Sequence, residues 1–463
     1  MMEILQDPVF LSRLQFAVTA MFHMLWPLLT VGLSIILVVF EALWLKTGDI
    51  DFYLHARFWA RLLLLNFSVG VISGLPLEFE FGANWSRFSV VAGEFFGNIL
   101  GFEGAMAFML EAGFLGIMLF GWMRAPPVIH LFATCMVALG ASLSAFWILV
   151  ANAWMQTPAG VHLEAGKVVV DSYFAAIFNK NTPWGVLHMW FACLATSLVF
   201  VGGLSAWYII NGRHTDFFLK SFKLVLIALI IVAPMQIYLG HSSGKHVFVN
   251  QPAKGAAIEA HWTTNEKDIG AAWNILAWPN KTEQRNDWAI SIPEVLSVLA
   301  TGDRHGQVQG LTSFQPDDQP PAIGLIYYSF RIMVMIGFML FGLMMWTTFV
   351  WLKGQFTADA IGNHRLLLRA WIAAIPLGYL ATECGWIVRE VGRQPWVIYG
   401  LLRTRDATSM LPASVVAASL LAFTAVYAVL FILFLIFAGR LIRKGPDLTL
   451  TPSPRINRRR YNG

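Results

Sequence analysis

The sequence predicts an all-α polytopic membrane protein with nine transmembrane helices and one long external loop between helices six and seven. Three observations carry this expectation. Hydrophobic residues make up 57% of the 463 residues and charged ones only 13%, and the mean hydropathy is +0.62, which is too apolar for a soluble chain. Apolar runs long enough to cross roughly 30 Å of hydrocarbon recur nine times along the chain. One long polar stretch, 241–322, interrupts them.

In order, the apolar runs lie near 14–44, 57–80, 96–122, 128–155, 184–210, 219–240, 323–352, 367–388 and 412–440. The expected organisation is helices one to six in 1–240, the external loop in 241–322, helices seven to nine in 323–440 and a basic cytoplasmic tail in 441–463. An odd number of spans puts the two ends on opposite sides, and basic residues favour the cytoplasmic side. With the C-terminus inside, seventeen Lys and Arg fall on inner segments, among them Lys46, Arg57, Arg61 and the tail residues from Arg440 onward. Eight, such as Arg13 and Arg87, fall on the short outer ones. The expected topology is therefore N-out, C-in, and the basic surplus is read as topology and contact with anionic lipid, not as nucleic-acid binding. Cys135, Cys193 and Cys384 all sit inside apolar runs and offer no disulfide framework. Met1 to Asp7 has no basic region ahead of the first apolar run, so no cleavable signal peptide is expected. In the long loop, Trp262, Trp273, Trp278, Trp288 and the stretch Ile290–Leu296 suggest a folded lid; an interfacial loop with aromatic anchors is the plainer reading.

Polar residues inside the spans are the next clue, because an ionised side chain at mid-bilayer costs roughly 2.5–3.5 kcal/mol on insertion scales and normally faces a partner, a cavity or an ion. On the first helix Ser12, Gln15, Thr19, His23, Thr30 and Ser34 recur at steps of three, four and seven, one stripe of a helix. The third helix carries Glu103 and Glu111, with Glu94 at its outer mouth. At regular helical spacing those two acids share a broad side without stacking, roughly 80° apart, and two acids at different depths suit a proton relay better than one metal site. His188 opens the fifth helix, and Arg331 and Met333 lie early in the seventh. A histidine and a methionine from opposing helices suit a low-spin haem, and an arginine beside the methionine suits a propionate, although a helical Met is more often core packing. Glu383 follows only apolar and small residues, so its own helix supplies no counter-charge.

The stretch Gly385-Trp-Ile-Val-Arg-Glu390-Val-Gly392-Arg393-Gln-Pro-Trp396 resembles the signature of subunit I of the cytochrome bd-type quinol oxidases. Ser12–His23, Gly101–Glu111, Leu143–Gln156 and Phe330–Val334 resemble other parts of the same family, so the likeness spans essentially the whole chain. It implies that His188 and Met333 ligate a low-spin haem b. It implies that His23 and Glu383 ligate two high-spin haems, a haem b and a haem d or a third haem b, and that Arg393 meets propionates. Gln251–Trp262 is similar to the family's quinol loop, which implies Lys254 and Glu259 in quinol binding and deprotonation. Glu103 and Glu111 match acids on the proton route to the oxygen-reducing haem.

The resemblance implies a bacterial inner-membrane enzyme whose substrates are quinol and oxygen. Quinol would be oxidised outside and oxygen reduced to water with protons from the cytoplasm, without pumping. Its implied partners are a homologous second membrane subunit and a small single-helix subunit. The loop is of the short type, a class that includes cyanide-insensitive oxidases, some with haem b in place of haem d. Tyr379 stands where relatives have tryptophan, and His241 follows Gly240 where an acid is common. Two other classes remain open on the residues alone. One is an ion or solute carrier, for which paired broken helices in related halves would be expected; the other is a haem-free partner subunit of an oxidase.

Overall fold

A computed structural model of the chain describes residues 6–452; the tail arginines Arg455 to Arg460 lie outside the described residues. Among these, nine helices are long and apolar enough to cross a membrane: α1 (Pro8–Thr47), α2 (Ile50–Ala83), α3 (Ser86–Phe120), α4 (Pro127–Gln156), α5 (Thr182–Ile210), α6 (Thr215–Asn250), α7 (within Pro316–Leu352), α8 (Arg365–Val391) and α9 (Ala413–Lys444). Local chemistry sets several ends. The Asp7 carboxylate accepts from the Val9 N–H at the start of α1, the Asp49 carboxylate does the same for Asp51 at the start of α2, and Gly48 ends α1 at a left-handed φ of 75°.

The bundle is organised around α1 and α5. In the apolar windows of those two helices 67% and 72% of residues are buried, against 6% in α9, which is left to face lipid or another chain. Small residues permit close crossing there: a Cβ on Gly32 of α1 would lie 2.5 Å from the Cys193 carbonyl of α5, and one on Gly203 of α5 would lie 2.8 Å from the Trp371 carbonyl of α8. The main apolar core runs between α1, α2, α5, α6 and the first half of α8.

Two helices depart from regularity. α3 contains a π turn, Glu103–Phe108, and α8 breaks at Pro376 into Arg365–Ala374 and Leu377–Val391, where proline removes a ladder donor. α6 continues to Asn250, ten residues beyond the apolar run. The segment that follows is folded. It holds a short buried helix, Pro252–Glu259, an antiparallel hairpin of β3 (Trp273–Asn280) and β4 (Arg285–Ile292), and a helix, Val295–Thr301. Ala256, Ala257, Ile258, Trp262 and Leu311 pack on Ile323 and Ile326 of α7 and Val388 of α8. Trp262 is buried while Trp278 and Trp288 point out. Two smaller hairpins lie on the same face of the bundle, β1 (Val161–Glu164) with β2 (Lys167–Val170) and β5 (Trp396–Ile398) with β6 (Leu402–Arg403).

Candidate functional site

The polar stripe of α1 faces inward. Ser12, Gln15, Thr19, Thr30 and Ser34 are buried, and α2 answers them at intervals of seven: Asn66 donates to the Thr30 hydroxyl at 2.9 Å, Ser73 meets the His23 Nδ1 at 3.0 Å, and Thr19 donates to the Glu80 carboxyl at 2.6 Å. The three α2 residues escaped the sequence reading. Their heptad spacing was the available signal.

His23, His188, Met333 and Glu383 are carried by α1, α5, α7 and α8, and three of them face a glycine on a neighbouring helix. A Cβ on Gly74 would lie 3.1 Å from the His23 Cε1, one on Gly240 3.2 Å from the His188 Cε1, and one on Gly385 3.1 Å from the Met333 sulfur. Among the described residues the His188 Nδ1 and both Glu383 carboxyl oxygens are buried without a hydrogen-bond partner. A buried carboxyl group with two unpartnered oxygens is expensive unless it meets an ion or cofactor. Among the described residues no three His, Cys, Asp or Glu side chains gather into a metal cage. Isolated donors on separate helices, seated against glycines, fit a metal already held by a macrocycle, to which protein adds only axial ligands.

Above them lies a charged knot that the sequence reading named only in part. Lys254 of the short buried helix donates to the Arg389 carbonyl at 2.8 Å and the Gln156 side-chain oxygen at 3.1 Å. Glu390 accepts from Asn152 at 2.9 Å and Gln156 at 3.1 Å and pairs with Arg393, while Arg389 donates to Asn152 and Asn181. Burial, followed by the charge of Arg389, holds the Lys254 ammonium well below its ordinary range. Even with Lys254 neutral, two guanidinium groups face one carboxylate. Among the described residues the Nε and Nη1 of Arg393 are buried without partners, two charged donors suited to a carboxylate such as a propionate. Asn152, Gln156, Arg389 and Glu390 all belong to stretches the resemblance marks, but the contacts that join the first two to the last two span more than two hundred residues.

Glu259 ends the short helix and pairs with Arg331 at 2.5 Å, both side chains largely buried. Arg331 also donates to the Asn274 carbonyl at 2.6 Å and lies over the Tyr327 ring at 4.7 Å. Burial raises the Glu259 carboxyl above its usual range, and Arg331 opposes the rise. Among the described residues the Nη1 of Arg331 is buried without a partner, which leaves one donor of the guanidinium uncommitted.

Glu103 and Glu111 come closer to one face than regular spacing allows. The π turn absorbs about one extra residue, which brings the two acids from roughly 80° to roughly 20° apart. Ser144 of α4 donates to Glu103 at 2.7 Å, and a Cβ on Gly140, one turn away, would lie 2.9 Å from the Glu111 Cβ. Glu94 binds the Val170 N–H at 3.2 Å, in the β1–β2 hairpin. Tyr379 packs beside Leu28, Val31 and Cys193.

The fold defines a multi-pass α-helical membrane protein with unpaired donor side chains buried between its helices. Residues 11–446 match the family model for cytochrome bd terminal oxidase subunit I. The chain is 32% identical to cytochrome bd-II ubiquinol oxidase subunit 1 of Escherichia coli K12, covering 97% of this chain and 99% of that one. It is 34% identical to cytochrome bd ubiquinol oxidase subunit 1 of Bacillus subtilis 168, with 94% of each covered. A solved structure of the bd oxidase from Geobacillus thermodenitrificans superposes with a TM-score of 0.86 at 30% identity, covering 95% of this chain and 99% of that chain. The chain belongs to the cytochrome bd terminal oxidase subunit I family. It is an all-α member with quinol:oxygen oxidoreductase activity, dependent on haem and belonging to a multi-subunit complex of the bacterial inner membrane. The carrier and partner-subunit readings give way to this membership.

Proposed function

We propose that this chain oxidises quinol on the face bearing the 251–322 segment, that this face is the outer one, and that oxygen is reduced to water with protons drawn from the opposite, cytoplasmic face. The N-terminus is then outside and the C-terminus inside, in agreement with the distribution of basic residues. His188 and Met333 would hold a low-spin haem b, and His23 and Glu383 two high-spin haems, one haem b and the other haem d or a third haem b. Arg331 and Arg393 would meet their propionates. When bound, these groups supply one-electron transfer and the activation of oxygen. The observation that carries the reading is the set of isolated donors seated against Gly74, Gly240 and Gly385, together with a Glu383 carboxyl that has no partner among the described residues.

The chain's own residues handle binding and protons. Glu259, at the end of a buried helix, accepts a proton from quinol, and Arg331 keeps its ionised form within reach. Lys254, pushed toward the neutral amine by burial, presents a hydrogen-bonding group to the quinol ring rather than a fixed charge. Glu111 and Glu103, brought to one face by the π turn, carry protons from the inner side toward the helix α1 and α8 donors. Protons released outside and taken up inside separate charge without a pump. A small single-helix subunit and a homologous second membrane subunit would cover exposed faces such as α9.

A reduced-minus-oxidised absorption spectrum of the purified oxidase tests the reading, with ubiquinol and menaquinol analogues as alternative reductants. Haem bands that respond to quinol support it; a chain that purifies folded without haem overturns it.

A further inference from the structure

A second buried polar site lies at the opposite end of the bundle and takes no part in the functions above. Glu41 of α1 and His130 of α4 meet at 2.9 Å, their side chains only 1% and 3% exposed. Thr134 donates to the other Glu41 oxygen at 2.8 Å, and the second ring nitrogen of His130 faces the Met118 carbonyl at 3.0 Å. Since a carbonyl can only accept, that nitrogen carries a hydrogen. One proton is then shared between Nδ1 and the carboxyl group. The pair is neutral overall whichever side holds it, and gaining one more proton leaves an imidazolium beside a neutral acid. A helix clamp of this shape could be built from apolar residues with no loss of stability, so a proton-sharing pair here calls for another reason.

The placement supplies one. Glu41 falls seven residues after Ser34 and extends the polar stripe of α1 that contains His23, Thr30 and Ser34. On α4, His130, Thr134 and Ser144 fall on one stripe, with Gly140 beside it. Read upward, that stripe meets Glu41, then Glu111, then Glu103. Thr134 and Gly140 are six residues apart, about 9 Å along the helix and about 120° around it. The Glu111 Oε1 is buried without a protein partner among the described residues. Trp122 lies over the His130 ring at 4.0 Å, and Arg57, from the basic inner rim, lies 5.2 Å from the Trp122 ring.

We infer that Glu41 and His130 form the proton-loading site at the cytoplasmic end of the path that continues through Glu111 and Glu103. This rests on the proposed topology. A proton arriving from the inner surface binds the neutral pair, and one leaves from the carboxyl group through water to Glu111, which restores the starting state with no change of charge.

The test is Glu41→Gln in the intact oxidase, with Glu41→Asp and Glu111→Gln beside it. Haem content and the reduced-minus-oxidised spectrum are checked first; proton uptake is then followed with a pH indicator in vesicles, together with the solvent isotope effect and the redox-linked infrared carboxyl bands. The site predicts unchanged haem in Glu41→Gln, proton uptake slowed at least about tenfold, a larger isotope effect, loss of one deuterium-sensitive carboxyl band, and partial recovery in Glu41→Asp. Wild-type proton uptake in Glu41→Gln, with Glu111→Gln impaired, overturns the inference and makes the pair a clamp. Wild-type uptake in both overturns the proton route itself. If Glu41→Gln fails to assemble, His130→Gln is measured in the same way, and normal uptake there overturns the inference equally.

Discussion

Gly385→Ala separates a ligand from a packing residue at Met333. The added Cβ would lie 3.1 Å from the Met333 sulfur, closer than ordinary contact, so the sulfur must retreat by a few tenths of an ångström. A methionine that merely packs has three rotatable bonds and yields for about 1 kcal/mol or less. A sulfur engaged as a haem ligand would not retreat without weakening that ligation. The strain is then that of an overpacked core, about 1–3 kcal/mol, and weakens ligation by roughly 5- to 150-fold. The assay is the reduced-minus-oxidised spectrum of Gly385→Ala beside wild type, with carbon monoxide binding as a second readout, which a weakened Met333 ligation would increase. A low-spin spectrum identical to wild type, with no new carbon monoxide binding, would refute the ligation of Met333.

Three further outcomes are expected. Lys254→Ala removes the contacts to Gln156 and the Arg389 carbonyl and should lower quinol turnover by at least about tenfold while haem content holds; loss of haem instead would make Lys254 structural. Arg331→Gln removes the charge that opposes the burial-driven rise of the Glu259 carboxyl. That carboxyl then ionises at still higher pH, and the acid limb of the kcat/KM profile for quinol should move up in pH. An unmoved limb, with quinol still oxidised, would exclude Glu259 as the base. Gly140→Val forces a side chain against the Glu111 backbone, where even a Cβ would be 2.9 Å from the nitrogen. Proton uptake should slow while the low-spin spectrum stays as in wild type, and equal uptake would argue against the π-turn alignment.

Much of the architecture was legible, because a run of about twenty apolar residues nearly suffices to specify a span. The ends were less so. α1 begins at Pro8 and α6 ends at Asn250, since caps and backbone bonding extend a helix beyond its lipid-facing core. The π turn at Glu103–Phe108 was not legible at all: it follows from how α3 fits α4, where Gly140 and Ser144 receive the two acids. The polar residues of α1 were legible as one stripe of a helix, but that the stripe faces α2 was not, nor were its partners Asn66, Ser73 and Glu80 or its continuation to Glu41. The pairing of Glu259 with Arg331, seventy-two residues apart, needed the folded loop. For Met333, spacing alone left core packing open, and resemblance raised it to a ligand. The structure adds a reason of its own in the glycine opposite its sulfur.

The most direct measurement of the central claim, that these four side chains hold haem, is haem quantitation with reduced-minus-oxidised spectra on wild type and Met333→Leu. Three haems are expected in wild type, with selective loss of the low-spin b signal in the variant and both high-spin signals retained. A wild-type chain without haem, or a Met333→Leu spectrum unchanged in the low-spin band, would contradict it.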